Sequence, residues 1–101
     1  MNSQTMNMQT VLQSKTLRIE SRQIPSALTL TTLLMQIDYP EYSYYSIGVL
    51  CEEADGTTEF RMIHDITRSI TEAERIFTAV VEGTVTPCTL EDVLQDMIGL
   101  L

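Results

Sequence analysis

The first half of the chain alternates between apolar and polar positions at the two-residue period of a β-strand. From about Thr10 to Gln23 the alternation is weak, with apolar and charged side chains on opposite faces. Residues 27–38 and 43–53 are richer in apolar and β-branched side chains and predict two further strands. Pro25 ends the weak strand, because proline cannot donate a hydrogen bond to a strand ladder.

Asp55-Gly56 is the strongest turn signal in the chain. It separates residues 43–53 from a fourth segment with strand character, TEFRMIHD. A two-residue loop would fix the register of this hairpin, because a slip of one residue turns every side chain to the opposite face. That register places three pairs on the face that helices would cover: Cys51 with Phe60, Val49 with Met62, and Ile47 with His64.

A second turn, Tyr39-Pro40-Glu41, joins residues 27–38 to residues 43–53. Whether the loop has an odd or an even number of residues decides which side chains of the preceding strand share a face with the apolar residues of the next strand. If the loop has three residues centred on Pro40, three apolar side chains of the preceding strand share the apolar face: Leu33, Met35 and Ile37. A two-residue loop would turn these side chains away. The pattern therefore predicts an antiparallel β-meander of three to four strands.

The second half of the chain changes to helical spacing. Thr71-Glu72-Ala73-Glu74 has the sequence of a capping box with Thr71 as N-cap, and Gly83 is a C-terminal stop. After Pro87, Thr89 caps a second helix with an apolar stripe at helical spacing: Leu90, Val93, Leu94, Met97 and Ile98. Strands followed by helices predict an α+β fold in which two α-helices pack on one sheet face.

The length of 101 residues fits one domain. Residues 1–9 lack periodicity, so we expect a flexible N-terminal tail before a single α+β domain at residues 10–101. The sequence contains no run of 18 apolar residues and no signal-peptide pattern. Cys51 and Cys88 lack the spacing of a metal or redox motif. The expected location is the cytoplasm, with both thiols reduced.

The net charge of −8 arises in the second half of the chain. Residues 1–50 carry three basic and three acidic side chains, whereas residues 51–101 carry three arginines against eleven acids. This excess disfavours binding to nucleic acid or to an anionic membrane. An acidic inhibitor of a basic partner stays as an alternative function, although the acids are scattered over three elements and do not form one run.

His64-Asp65 is the one adjacent acid–base pair, but neighbours in a strand point to opposite faces, and the predicted register directs His64 to the core. Cys88 precedes a helix N-terminus, which lowers a thiol pKa, whereas Glu91 and Asp92 in the same turn oppose that effect. We therefore predict no catalytic, metal or cofactor site. A small enzyme that uses Cys88 or His64 stays as the alternative.

Tyr39, Tyr42, Tyr44 and Tyr45 gather around the first hairpin. Aromatic side chains in strands are ordinary packing partners, but tyrosine is also enriched in protein interfaces. These four residues are the candidate interaction surface. The expected function is a non-enzymatic interaction or regulatory module that binds a protein partner or a second copy of itself, through this hairpin or through a sheet edge.

Over about residues 42–98, the chain resembles a small bacterial family catalogued as a domain of unknown function. The shared features are a Tyr-x-Ile-Gly-type strand within YYSIGVLCEE, an Ile-x-Asp-Ile-Thr segment, and a Leu-x-Asp-Val-x-x-Asp helix. In that family a histidine often stands where this chain has Thr89. The resemblance implies no activity.

Overall fold

Four antiparallel strands in chain order form one sheet, and two helices pack on one of its faces. The structure is a computed structural model that describes residues 8–21 and 24–98. The strands are β1 (Met8–Ser21), β2 (Ile24–Asp38), β3 (Ser43–Glu53) and β4 (Thr58–Thr67). The helices are α1 (Ile70–Glu82) and α2 (Leu90–Ile98), and a 3-10 turn at Pro87–Thr89 precedes α2. The predicted α+β fold is confirmed.

The first strand starts earlier than the sequence pattern predicts. Met8 and Gln9, which the pattern assigned to the tail, pair with Asp38 and Ile37 of β2. The rest of the predicted tail, residues 1–7, lies outside the described residues, as do residues 99–101 of the predicted domain. The boundary was misplaced because these two positions carry no periodic signal of their own.

The hydrophobic core lies between the helices and the covered face of the sheet. It combines buried side chains of β2, β3, both helices and the loop between the helices: Leu30, Leu34, Ile47, Val49, Cys51, Ala73, Ile76, Phe77, Val80, Val85, Leu90 and Leu94. The buried positions of α1 repeat at the helical spacing read from the sequence. Burying one such leucine or isoleucine contributes about 1.5–3 kcal/mol.

Ser69 caps α1, in place of the predicted Thr71. The Ser69 hydroxyl accepts a hydrogen bond from the Glu72 N–H at 3.2 Å, and the helix begins at Ile70. Thr71 already lies inside the first turn. The sequence misplaced the cap because Ser69-x-x-Glu72 and Thr71-x-x-Glu74 both fit a capping box.

The predicted role of Thr89 also changes. Its hydroxyl lies 3.3 Å from both the N–H and the carbonyl oxygen of Thr86, so the side chain is directed back along the chain. These contacts close the 3-10 turn at Pro87–Thr89, and α2 begins at Leu90. The sequence pattern predicted α2 correctly, but Thr89 bonds to Thr86 and does not cap α2.

Gly83 ends α1 as predicted, but the left-handed residue that closes the turn is Thr84, with a φ of 52°. The Thr84 N–H bonds to the carbonyl of Val81 at 3.1 Å, and the Val85 N–H bonds to that of Val80 at 3.3 Å. These are the two hydrogen bonds of a Schellman motif. A β-branched residue rarely occupies this conformation, because its Cβ crowds the backbone.

The predicted register of the β3–β4 hairpin is wrong by one residue. Its loop holds three residues, 54–56, and Gly56 takes the left-handed φ of 94° that such a loop requires. The additional residue turns β4 over relative to β3. The pairs become Cys51 with Glu59, Val49 with Arg61, and Ile47 with Ile63.

The β2–β3 hairpin has the parity that the sequence argument excluded. Asp38 pairs with Ser43, and the Tyr39 N–H donates to the Tyr42 carbonyl at 2.8 Å, so the loop has an even number of residues. Leu34 therefore faces the helices. Three residues predicted for the covered face lie on the other face, Leu33, Met35 and Ile37, although Ile37 is still buried there at 4% exposure. Both faces of β2 are apolar, so the apolar residues of this strand do not reveal which face the helices cover.

Alternation along the paired strands thus defines a second, open face of the sheet, opposite to the described helices. It carries Gln9, Val11, Ser14, Thr16 and Arg18 of β1; Thr29, Thr31, Leu33, Met35 and Ile37 of β2; Tyr44, Ser46, Gly48, Leu50 and Glu52 of β3; and Thr58, Phe60 and Met62 of β4. At one end of this open face lies the β2–β3 turn, with the tyrosines.

Candidate interaction surface

Three of the four predicted tyrosines meet at the β2–β3 turn. The ring centroids of Tyr39 and Tyr42 are 5.1 Å apart, and those of Tyr42 and Tyr44 are 5.4 Å apart at an interplanar angle of 85°. Edge-to-face pairs of this kind contribute about 0.5–1.5 kcal/mol beyond their burial. Tyr45 lies apart from them, since it packs against the core from the covered face.

The geometry of the hairpin explains why these rings meet. Pro40 follows Tyr39 in the turn, and the backbone bond between Tyr39 and Tyr42 places these two residues opposite each other. Opposite residues of an antiparallel pair share a face, and so do residues two apart on one strand. Tyr44 therefore lies on the same side as Tyr42, whereas Tyr45 points to the other side.

Arg68, which the sequence reasoning missed, completes the surface. Its guanidinium carbon lies 4.9 Å from the centroid of the Tyr42 ring and 5.9 Å from that of Tyr44. A cation within about 6 Å of an aromatic ring is attracted by about 0.5–1 kcal/mol at an exposed site. Arg68 follows Thr67, the partner of Tyr45 in the sheet. No local sequence signal indicates this contact, because it depends on the β3–β4 register.

A β-bulge positions Asp65 beside the rings. β4 contains two extra residues between its pairs with Ile47 and Tyr45, and Asp65 in this bulge has a φ of 52°. The Asp65 N–H donates to the buried Ser46 hydroxyl at 3.0 Å, and its carboxylate accepts from the Tyr39 hydroxyl at 2.7 Å. This bond, together with partial burial and the Asp65 charge, raises the pKa of Tyr39.

We call these residues the tyrosine–arginine cluster: Tyr39, Tyr42, Tyr44, Asp65 and Arg68. The cluster offers aromatic rings, one cation and one anion at one end of the sheet. The described residues enclose no pocket. Within the same part of the chain, no three histidine, cysteine or acidic side chains are grouped to hold a metal ion. Aromatic side chains and arginine, the types that form most of this cluster, are enriched at the contact surfaces of proteins.

The residues of the alternative enzyme lie elsewhere. His64 is exposed on β4, in contrast to the predicted core position, because the register differs from the predicted one and a bulge follows Ile63. Cys51 is buried, and burial followed by the charge of Glu53 raises the pKa of its thiol. Cys88 is exposed, with its sulfur 3.5 Å from the Thr86 hydroxyl. The Cys51 thiol is thus a core group rather than an activated nucleophile.

A family model described as a family of unknown function (DUF6514) matches residues 8–100. The resemblance to a family of unknown function is thereby confirmed, and the match extends it from residues 42–98 to β1 and β2. No curated protein and no solved structure matches this sequence. Among the described residues, no helix combines the length and the apolar character needed to cross a membrane.

Proposed function

The chain belongs to the DUF6514 family, whose function is unknown, and we propose that it is a non-enzymatic protein-interaction module that docks through the tyrosine–arginine cluster. The observation that supports this most is the placement of Arg68 over Tyr42 and Tyr44 at the end of the sheet. Tyrosine and arginine are among the residue types that carry most of the binding energy at protein interfaces.

The contacts within the cluster hold its side chains before any partner binds. Tyr39 is bonded to Asp65, and Arg68 is stacked on two rings. Ordering a long side chain on binding costs about 0.5–1.5 kcal/mol, so an ordered cluster binds with less loss of entropy. The left-handed backbone at Asp65 fits this role, because strained residues are typical of functional sites.

The proposal also specifies the kind of partner. The net charge of −8 disfavours nucleic acid and anionic membrane, so the partner is a protein, and the location proposed is the cytoplasm. A guanidinium that lies over aromatic rings keeps N–H donors at its edge. The partner therefore supplies a carboxylate or a carbonyl oxygen to Arg68 and an apolar side chain to the exposed Tyr42.

The test compares proteins captured from a native lysate on the full chain and on two variants. Arg68→Ala removes the stacked cation of the cluster. Arg75→Ala is the matched control, because it removes an exposed arginine that pairs with Glu72 on α1. We expect a partner that binds the wild type and Arg75→Ala but is lost with Arg68→Ala, while circular dichroism shows all three folded. Equal capture by all three, or no partner at all, contradicts the proposal.

The outer edge of β1 is a second candidate surface. β1 pairs only with β2 among the described strands, and its described side chains from Met8 to Arg18 are exposed. A long edge of this kind is a template for adding a strand of a partner. Bulges after Val11 and Ile19 interrupt the edge, however, and bulges are a common protection against such pairing. We therefore rank the edge below the cluster.

A further inference from the structure

The open face of the sheet is apolar, nearly free of charge and not covered by the described helices. Of its 18 described positions that pair across the sheet, five on each of β1, β2 and β3 and three on β4, only Arg18 and Glu52 are charged. Strand alternation adds one further charge, the exposed Glu20 of β1, which forms an ion pair with Arg18. The two helices, by contrast, carry six acids and one arginine. Val11 and Phe60, at opposite edges of the open face, are 52% and 53% exposed.

An antiparallel sheet that faces water normally alternates apolar residues inward with polar residues outward. This open face instead carries eight apolar residues among its paired positions: Val11, Leu33, Met35, Ile37, Tyr44, Leu50, Phe60 and Met62. Ile37 is buried by its neighbours at 4% exposure, and the other seven stay partly or largely exposed. A surface of this composition is typical of a face that packs against another layer.

We propose that the open face is the interface between two copies of this chain, packed face to face about a two-fold axis that runs along the strands. The second copy supplies a largely uncharged surface of the same size and the same apolar residues, so neither copy brings its acidic helices to the interface. The dimer then has four layers in the order helix, sheet, sheet, helix. Tyr44 belongs both to the open face and to the tyrosine–arginine cluster, so the tests below leave every residue of the cluster unchanged.

Arg18 and Glu52 of the open face support this choice of partner and axis. Arg18 pairs with Thr29, and Thr29 pairs with Glu52, so the three residues form one row across β1, β2 and β3. A two-fold axis along the strands keeps this row at the same height in the second copy and reverses its direction. Arg18 already pairs with Glu20 of its own strand through Nε at 3.4 Å, and its terminal N–H groups stay available. These groups of each copy then approach Glu52 of the other, so that Glu52 is not buried without a partner.

The area of the open face is sufficient for a dimer. Strands lie about 4.8 Å apart and rise about 3.3 Å per residue, so four strands and nine residues of β3 span roughly 19 by 26 Å, or about 500 Å² per copy. If both faces are treated as flat, two copies therefore bury about 1,000 Å² in total, which reaches the lower limit of specific interfaces. The shortest dimension of one chain, 20 Å, corresponds to one sheet and one helix layer.

The first test measures the mass of the full chain by light scattering over a range of concentrations. The expected mass is 2 × 11.4 = 22.8 kDa. Phe60→Glu places a charge on the open face and should weaken the dimer at least about tenfold. Ile70→Glu is the matched control, because Ile70 is an exposed apolar residue on α1 and should leave the dimer unchanged. A monomeric wild type, or a dimer that tolerates Phe60→Glu, would overturn the inference.

The second test reverses the two charges. Glu52→Arg should weaken the dimer on the order of tenfold, because it creates two like-charge contacts between the copies. Arg18→Glu should do the same, and circular dichroism checks that its new repulsion with Glu20 of the same strand leaves the chain folded. The double variant should restore it to within about threefold of the wild type. Pairing through the β1 edge would not bring Glu52 near the second copy, so a dimer insensitive to Glu52→Arg would refute the face-to-face arrangement. Neither variant alters the tyrosine–arginine cluster, so failure of the dimer and failure of docking are separate results.

Discussion

The covered and open faces of this sheet use equally apolar residues in different ways. On β2, Leu34 is fully buried beneath the helices, whereas its neighbour Leu33 lies on the open face and stays partly exposed. The same contrast holds on β3 for Val49 and Leu50. Apolar character alone therefore does not show what a strand residue packs on. The helices bury the apolar residues at the centre of the covered face, whereas most apolar residues of the open face keep some exposure, Ile37 being buried at 4%.

The largest expected effect comes from comparing neighbouring residues of β2. Leu34→Ala should lower the free energy of unfolding by about 2–5 kcal/mol, because it leaves a cavity beneath the helices. Leu33→Ala should cost about 1 kcal/mol or less in the monomer, because a partly exposed side chain loses less burial. Urea unfolding at a concentration that gives monomers measures both. Equal losses for the two variants would mean that the two faces contribute alike.

Ser69 offers a way to loosen the covered face alone. Ser69→Ala removes the N-cap of α1 and should lower the free energy of unfolding by about 1 kcal/mol, with no change in association through the open face. Thr71→Ala is the control, because Thr71 lies inside the helix and its replacement should change stability by no more than a few tenths of a kcal/mol. Thermal unfolding and light scattering on the same samples measure both quantities. A larger loss for Thr71→Ala would contradict the cap assignment.

A smaller effect, of opposite sign, is expected at the end of α1. Thr84→Gly relieves the left-handed strain, but glycine has more freedom in the unfolded chain, so we expect a net gain of about 0.5 kcal/mol. Thr84→Ala keeps the Cβ and should gain nothing. Because Thr84 belongs to the helix layer, the dimer should be unaffected. Thermal unfolding of the two variants distinguishes relief of strain from a change in packing.

The order and type of the elements could be predicted from the sequence, because each depends on local periodicity. The apolar stripe of α2 and the limits of β3 needed no knowledge of distant residues. The two faces could not be assigned in this way. Leu33 and Leu34 are both leucine, so either register gives β2 an apolar face, and only the helices decide which one is covered.

The location of the candidate surface could be predicted from the sequence, but not all of the residues that form it. The clustered tyrosines indicated a candidate surface at the β2–β3 hairpin, but Tyr45 lies on the other face of the sheet. Arg68 and Asp65 also belong to the surface, and their positions depend on the register and the bulge of β4. Asp55-Gly56 signals a turn without specifying whether its loop has two or three residues. The difference of one loop residue decides which side chains of β4 face the helices, and the apolar pattern of β4 does not distinguish the two possibilities.

The smallest expected effect concerns the end of the open face, where Tyr39 donates to Asp65. The bond raises the pKa of Tyr39 above its unfolded value of about 10. It therefore contributes to stability below that pH, and the contribution is lost as the pH rises through the pKa of the folded chain.

An ultraviolet absorbance titration should show a late ionisation step from Tyr39, because its bond to Asp65 raises its pKa. Tyr39→Phe should remove this late step, and Asp65→Asn should shift it toward ordinary tyrosine, because the carboxylate charge is gone. Four indistinguishable tyrosines in the wild type would mean that the bond does not persist in solution. A late step that persists in Tyr39→Phe would assign the late ionisation to another tyrosine and would contradict the role given to the Tyr39–Asp65 bond.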